Sequence, residues 1–183
     1  MKTMNRKLSL IIEALENRIT PTVNFVEGAV NITGTQGVDY ISVVQSANAL
    51  IVYDSGTRHV FAANQVEQVN VDALAGADTV ILQNLEMAAF VNAGAGNDKV
   101  SRVCLLSDAQ VAECFIDGGL GNDLLTNYGQ GQLLMDGNAG NDILTSFAGS
   151  NNTTVRGGDG SDALLISGTG VFDSDSQDML FKL

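Results

Sequence analysis

The chain has 183 residues, 21 acidic against 9 basic side chains, a net charge of −12, 20 glycines, two cysteines, one histidine and no tryptophan. That length suits one domain, and a hydrophobic content of 45% excludes a wholly disordered chain. The negative charge argues against a nucleic-acid partner, the single histidine against most histidine-based catalysis and zinc chemistry, and no run reaches the ~20 apolar residues of a membrane-spanning helix.

The first twenty residues differ from the rest. Lys2, Arg6, Lys7 and Arg18 against Glu13 and Glu16 give them a balance of +2, and the remainder a balance of −14. Leu8–Arg18 has the pattern of a short amphipathic helix that stops before Pro21. Glu13 interrupts its apolar stretch, which makes it a poor cleavable signal peptide. Residues 1–22 are therefore read as an N-terminal helical segment.

Residues 23–91 are read as β-rich. Around His59 two arrangements fit. The region is either a degenerate copy of the repeat described next, with Val52 and Phe61 in its apolar columns, or an antiparallel meander. The meander would be joined by turns at Ser46-Ala47-Asn48, Asp54-Ser55-Gly56-Thr57 and Asn64. His59 itself is read as a surface or turn residue.

Fifteen of the 20 glycines lie between Gly94 and Gly170, and a repeat explains them. Ala93-Gly94-Ala95-Gly96-Asn97-Asp98, Gly118-Gly119-Leu120-Gly121-Asn122-Asp123, Gly137-Asn138-Ala139-Gly140-Asn141-Asp142 and Gly157-Gly158-Asp159-Gly160-Ser161-Asp162 align without gaps. Weaker copies end at Asp39 and Asp78. The aspartates step by 39, 20, 25, 19 and 20 residues, so the interval of 25 looks like one period with an insertion. Two places after them stand Ile41, Val80, Val100, Leu125, Leu144 and Leu164; seven places before them stand Ile32, Val71, Val91, Ile116, Met135 and Val155. All twelve are apolar, as two inward columns flanking a turn would be. A repeat of ~20 residues holding two short strands and two turns predicts an all-β fold, a parallel β-roll or β-solenoid whose coils bury their apolar faces only by stacking.

This spacing suits calcium. Adjacent rungs lie ~4.8 Å apart, and two oxygens across a calcium ion at ~2.3–2.6 Å each are ~4.6–5.2 Å apart. Asp98, Asp123, Asp142 and Asp162 are the predicted carboxylate ligands. Gly94, Gly96, Gly119, Gly121, Asn138, Gly140, Gly158 and Gly160 form the curled backbone whose carbonyls turn towards the ion. Asp78 would close a weaker fourth site with Asp98, beyond about three full ones. Hard oxygen donors favour calcium over zinc or copper. Without a cation, stacked carboxylates repel, by ~3.5 kcal/mol per contact at an effective dielectric of 20, so residues 92–178 are expected to fold on binding calcium.

Residues 92–166, with four linked copies of the motif, resemble the haemolysin-type calcium-binding repeats, also called repeats-in-toxin. The resemblance implies a parallel β-roll with calcium between stacked glycine-rich turns, in a protein secreted by bacteria. It departs from that family in recurring only every ~20 residues: the opposite turns, Asn127-Tyr128-Gly129-Gln130-Gly131 and Phe147-Ala148-Gly149-Ser150-Asn151-Asn152, lack the aspartate. Leu15-Glu16-Asn17-Arg18-Ile19-Thr20-Pro21 resembles an L-E-x-R-x-x-P signature near the start of many large bacterial surface and secreted proteins, which implies export; a helix capping an open sheet end is the other reading.

Cys104 and Cys114 flank the inserted residues, as a disulfide or as buried thiols, and the spacing of Cys114 from Asp123 favours a thiol. Asp117 and Asp136 are either extra ligands or solvated surface groups, and Asp173-Ser174-Asp175-Ser176-Gln177-Asp178 a last site or an acidic terminus. The function expected is calcium binding by an extracellular or cell-surface structural module. The alternative is a surface adhesin that calcium only stiffens and that binds other cell-surface components. An enzyme is not expected: a polysaccharide-cleaving solenoid needs a base over a long groove, and only Lys99, Arg102 and Arg156 lie near the repeats.

Overall fold

The structure is a computed structural model that describes residues 20–104, 113–147, 153–167, 170–173 and 177–182. The expected N-terminal helix lies outside these residues, as do the insertion between the cysteines and part of the acidic C-terminal run.

The described chain is all-β. Its strands are β1 (Thr22–Val26), β2 (Ala29–Thr33), β3 (Tyr40–Ser46), β4 (Ala49–Asp54), β5 (Thr57–Ala62), β6 (Gln68–Asp72), β7 (Thr79–Gln83), β8 (Ala88–Asn92) and β9 (Lys99–Val103). They continue as β10 (Cys114–Asp117), β11 (Leu124–Tyr128), β12 (Leu133–Asp136), β13 (Ile143–Ser146), β14 (Thr153–Arg156), β15 (Ala163–Ile166), β16 (Val171–Asp173) and β17 (Met179–Lys182). One short 3-10 turn, Ala63–Gln65, precedes β6. The first sheet has the order β1-β2-β6-β8-β10-β12-β14-β16 and the second β17-β15-β13-β11-β9-β7-β3-β4-β5. From β6 onward the chain alternates between the two sheets, and every neighbour is parallel.

Side-chain alternation places the core between the sheets. In the first, Ile32, Val71, Val91, Ile116, Met135 and Val155 stand in register. In the second, Ile41, Val80, Val100, Leu125, Leu144 and Leu164 do the same. All twelve are buried in one continuous apolar cluster. Strands this short hold no core alone, so the stacking of each on the next supplies the burial.

The N-terminal end departs from parallel pairing. β1–β2 and β3–β4–β5 are antiparallel, so the meander is the arrangement adopted around His59, with the difference that β6 crosses to the first sheet instead of pairing with β5. Three hairpins turn in two residues: Glu27-Gly28 (φ 49° and 81°), Ala47-Asn48 (Ala47 φ 38°) and Ser55-Gly56 (φ 38° and 98°). Two-residue hairpins require positive φ at the first central residue or at both. Phe25 and Phe61, ring centroids 5.8 Å apart, join the outermost strands of the two sheets. His59 Nε2 lies 2.9 Å from Oδ2 of the buried Asp54 in this region.

Candidate functional site

The glycine-rich segments connect the end of each first-sheet strand to the start of the following second-sheet strand. Their backbones pair directly: Leu120 N–H donates to Gly94 O (2.8 Å), Ala139 N–H to Gly119 O (3.0 Å) and Asp159 N–H to Asn138 O (2.6 Å). Main chains at this separation leave no room for side chains. A Cβ at Gly96, Gly121, Gly140 or Gly160 would collide with the carbonyl of the corresponding glycine one turn earlier, and all four have φ between 126° and 149°. Asn138 adopts the left-handed region at φ 66°, where three other copies of that position have glycine and the first two have Thr35 and Leu74, and its side-chain amide donates to Asp117. The first duty of the predicted glycine and asparagine ligands is thus turn-on-turn stacking.

The aspartates form one buried column. Asp39 N–H donates to Asp78 Oδ1 (2.7 Å), Asp78 N–H to Asp98 Oδ1 (2.7 Å), Asp98 N–H to Asp123 Oδ1 (2.8 Å), Asp123 N–H to Asp142 Oδ1 (2.7 Å) and Asp142 N–H to Asp162 Oδ1 (2.7 Å). Asp178 extends the column, accepting from Asp162 N–H at 3.0 Å. The interval of 25 residues between Asp98 and Asp123 leaves the ladder unbroken, because the insertion sits between β9 and β10, at the other end of the strands.

One oxygen of each carboxylate from Asp78 onward is thereby engaged; the second is the chemically informative one. At Asp39 it accepts from Thr35 N–H (2.6 Å) and Thr35 Oγ1 (3.0 Å). At Asp78, Asp98, Asp123 and Asp142, Oδ2 is buried and has no hydrogen-bond partner among the described residues. The residue five places before each aspartate sets the space beside it. A Cβ on Gly118 would lie 2.6 Å from Asp123 Oδ2 and 2.9 Å from Gly137 O. The same construction on Gly137 meets both Asp142 Oδ2 and Gly157 O. A carboxylate oxygen and a main-chain carbonyl therefore converge on the space a methyl would fill. Ala73 and Ala93 occupy the equivalent positions for Asp78 and Asp98.

Burial raises these carboxyls: Asp78 to about 6, Asp123 to about 7 and Asp142 to about 6. The backbone N–H of the preceding rung opposes the shift in each case, and neighbouring carboxylates add to it. Asp98 is raised for the same leading reason. Among the described residues no three His, Cys, Asp or Glu side chains gather into a metal-holding group; each gap of the column is bordered by two of its aspartates and by main-chain carbonyls.

Several neighbours escaped sequence reasoning. Beside the buried column runs an exposed one: Asn122 N–H donates to Asn97 Oδ1 (2.8 Å), Asn141 N–H to Asn122 Oδ1 (2.7 Å) and Ser161 N–H to Asn141 Oδ1 (2.9 Å), in the opposite direction to the aspartate ladder. The recurring Asn-Asp dipeptide was the available signal. At the far turn, buried Arg102 donates to Asn127 Oδ1 (2.9 Å) and Gln130 O (2.8 Å), and Asn127 Nδ2 to Ser146 Oγ (3.3 Å). Cys104 and Cys114 are buried free thiols, and burial pushes Cys114 up to about 11 against the opposing influence of Arg102. Asp117 and Asp136 pair in register on the outer side of the first sheet, half-buried, with Arg156 3.7 Å from Asp136. They belong to a different face from the aspartate column.

No protein-family model, no curated protein and no solved structure matches this chain.

Proposed function

We propose that this chain is a calcium-binding structural module: a parallel β-roll whose stacked acidic turns take up calcium and tighten on doing so, in a protein that works outside the cell or on its surface. The observation that carries the reading is the column of buried, unpartnered Oδ2 atoms on Asp78, Asp98, Asp123 and Asp142. A buried carboxylate oxygen without a partner costs ~1–3 kcal/mol or more, and four in one column call for a ligand. A hard divalent cation fits an all-oxygen donor set of carboxylate and carbonyl.

Three ions would lie between Asp98 and Asp123, Asp123 and Asp142, and Asp142 and Asp162. A tighter fourth position lies between Asp78 and Asp98, where Ala73 narrows the space; Ala93 stands at the equivalent place in the gap between Asp98 and Asp123. Thr35 satisfies Asp39 in place of an ion. Bound calcium supplies charge compensation for the column. The protein's own part is to hold each Oδ1 on a backbone N–H so that Oδ2 stays aimed at the gap. The predominantly parallel, two-sheet arrangement with in-register apolar columns supports a β-roll, and the resemblance of residues 15–21 to an export signature supports the location.

Isothermal titration of calcium into metal-stripped protein at neutral pH, with β content followed by circular dichroism, tests this. About three sites and a gain in β signal are expected, with Asp142→Ala losing the sites on both of its sides. Absence of binding heat together with an unchanged spectrum would remove the proposal.

A further inference from the structure

We propose that two copies of this chain pair through the outer face of the second sheet. The inference is independent of the calcium reading, because that face points away from the aspartate column.

The chain's charge is unequally shared between its two broad faces. On the first sheet, Asp72, Asp117, Asp136 and Asp173 all stand at the outward position in the last residue of their strands, in one register column interrupted by Asn92 and Arg156. On the second sheet, none of the outward-facing described residues of its nine strands is acidic, and only Arg58 and Lys99 are charged. In their place stand exposed apolar side chains: Leu124 (39% exposed) beside Ile143 (51%), Tyr128 (49%), and Met179 (60%) and Phe181 (52%) on β17. Tyr128 and Phe147 stack at 5.1 Å and lengthen the patch along its margin.

A second copy is the occupant these features fit. A net charge of −12 makes two copies repel through most approaches. The second sheet is the broad face on which no carboxylates meet, so docking there costs least in like-charge contact. The same charge disfavours an anionic membrane or a nucleic acid as the occupant. Nine strands at ~4.8 Å spacing and strands of ~15 Å give ~600 Å² per copy, or ~1,200 Å² for the pair, above the ~1,000 Å² a specific interface needs.

Sedimentation equilibrium of the full chain in calcium, with circular dichroism on the same samples, tests the pairing. A dimer with a dissociation constant on the order of 10 µM is expected. Ile143→Asp should weaken it at least tenfold with an unchanged spectrum, and Leu124→Lys, equally outward, gives the same reading should the first variant fold poorly. Phe90→Asp, on the outer face of the first sheet, should leave it intact. A monomer at about 100 µM, or an association that Ile143→Asp and Leu124→Lys leave untouched, would overturn the proposal.

Discussion

Asp142→Asn separates the structural from the ligand role of the buried column, because the two roles predict opposite signs. An asparagine side chain keeps Oδ1, so the bond from Asp123 N–H at 2.7 Å survives. What changes is Oδ2, which is buried and unpartnered and becomes a neutral amide nitrogen. In the calcium-free protein the wild-type carboxyl is raised by burial from 3.8 to about 6. A gap of about two pKa units amounts to about 3 kcal/mol of penalty on the ionised form at pH 7.5. Removing the charge relieves most of it, so in chelator Asp142→Asn should melt about 5–10 °C higher, or recover β signal where the wild type lacks it. With calcium the sign reverses. The variant loses a carboxylate shared by two neighbouring gaps, and saturating calcium should stabilise it far less than the wild type. Thermal melts by circular dichroism, with chelator and with millimolar calcium, make the comparison. A variant destabilised equally under both conditions would show that the second oxygen has only a packing role.

Three further outcomes follow from the same geometry. Between the ordinary carboxylate pKa and the raised values, the folded chain holds protons that the unfolded chain has released, so stability without calcium should fall as pH rises from about 4 to 7; the three raised carboxyls at about 6, 7 and 6 set that window, and calcium should flatten the profile in urea titrations at successive pH values. Gly118→Ala places a methyl 2.6 Å from Asp123 Oδ2 and 2.9 Å from Gly137 O; calcium affinity measured by titration should drop at least tenfold, whereas Gly56→Ala, with open space around its Cβ, should alter stability only through its positive φ and leave affinity unchanged. Arg102→Met removes a buried guanidinium from Asn127 and Gln130, which should cost about 1–3 kcal/mol in urea unfolding, since the buried Asn127 Oδ1 and the part-buried Gln130 carbonyl each lose a charged donor.

The core was legible because two periodicities coincide. A side-chain period of 2 inside each strand and a coil of about 20 residues put the same positions on the inside in every copy, and Ile32 to Val155 and Ile41 to Leu164 all lie there. The column of aspartates followed from the same arithmetic, and the insertion after Asp98 left it intact by falling at the far turn. Other features depend on contacts between coils that no single segment encodes. Thr35 takes over a ligand's place at Asp39 because of where one hydroxyl falls. The second inward column of the second sheet runs Val43, Leu82, Arg102, Asn127, Ser146 and Ile166, and its polar middle is stable only because Arg102, Asn127 and Ser146 satisfy one another across successive rungs. Period alone would have made all six apolar. The antiparallel start, likewise, was one of two patterns of equal hydrophobic merit until the Glu27-Gly28 and Ser55-Gly56 turns and the pairing of β3 with β4 decided it.

The paired ladders supply the strongest internal argument about the aspartates. Asn97, Asn122 and Asn141 carry out, in the open, the bonding that the buried column carries out inside: a side-chain oxygen accepts the backbone N–H of the same position one coil away. An amide is sufficient for that task, and in a buried setting it would avoid the cost of an ionised group. Yet the buried position is aspartate in every one of the six copies, each placing a carboxylate on top of another where desolvation and mutual repulsion both oppose it. Stacking alone gives no reason for that choice. A cation held between the rungs does, since it needs the charge, the second oxygen and the small residue beside it at once. By that logic, replacing all of Asp98, Asp123, Asp142 and Asp162 with asparagine should yield a chain that reaches full β content in chelator and whose spectrum no longer responds to calcium; a quadruple variant that still needed calcium to fold would mean that the ions are held elsewhere.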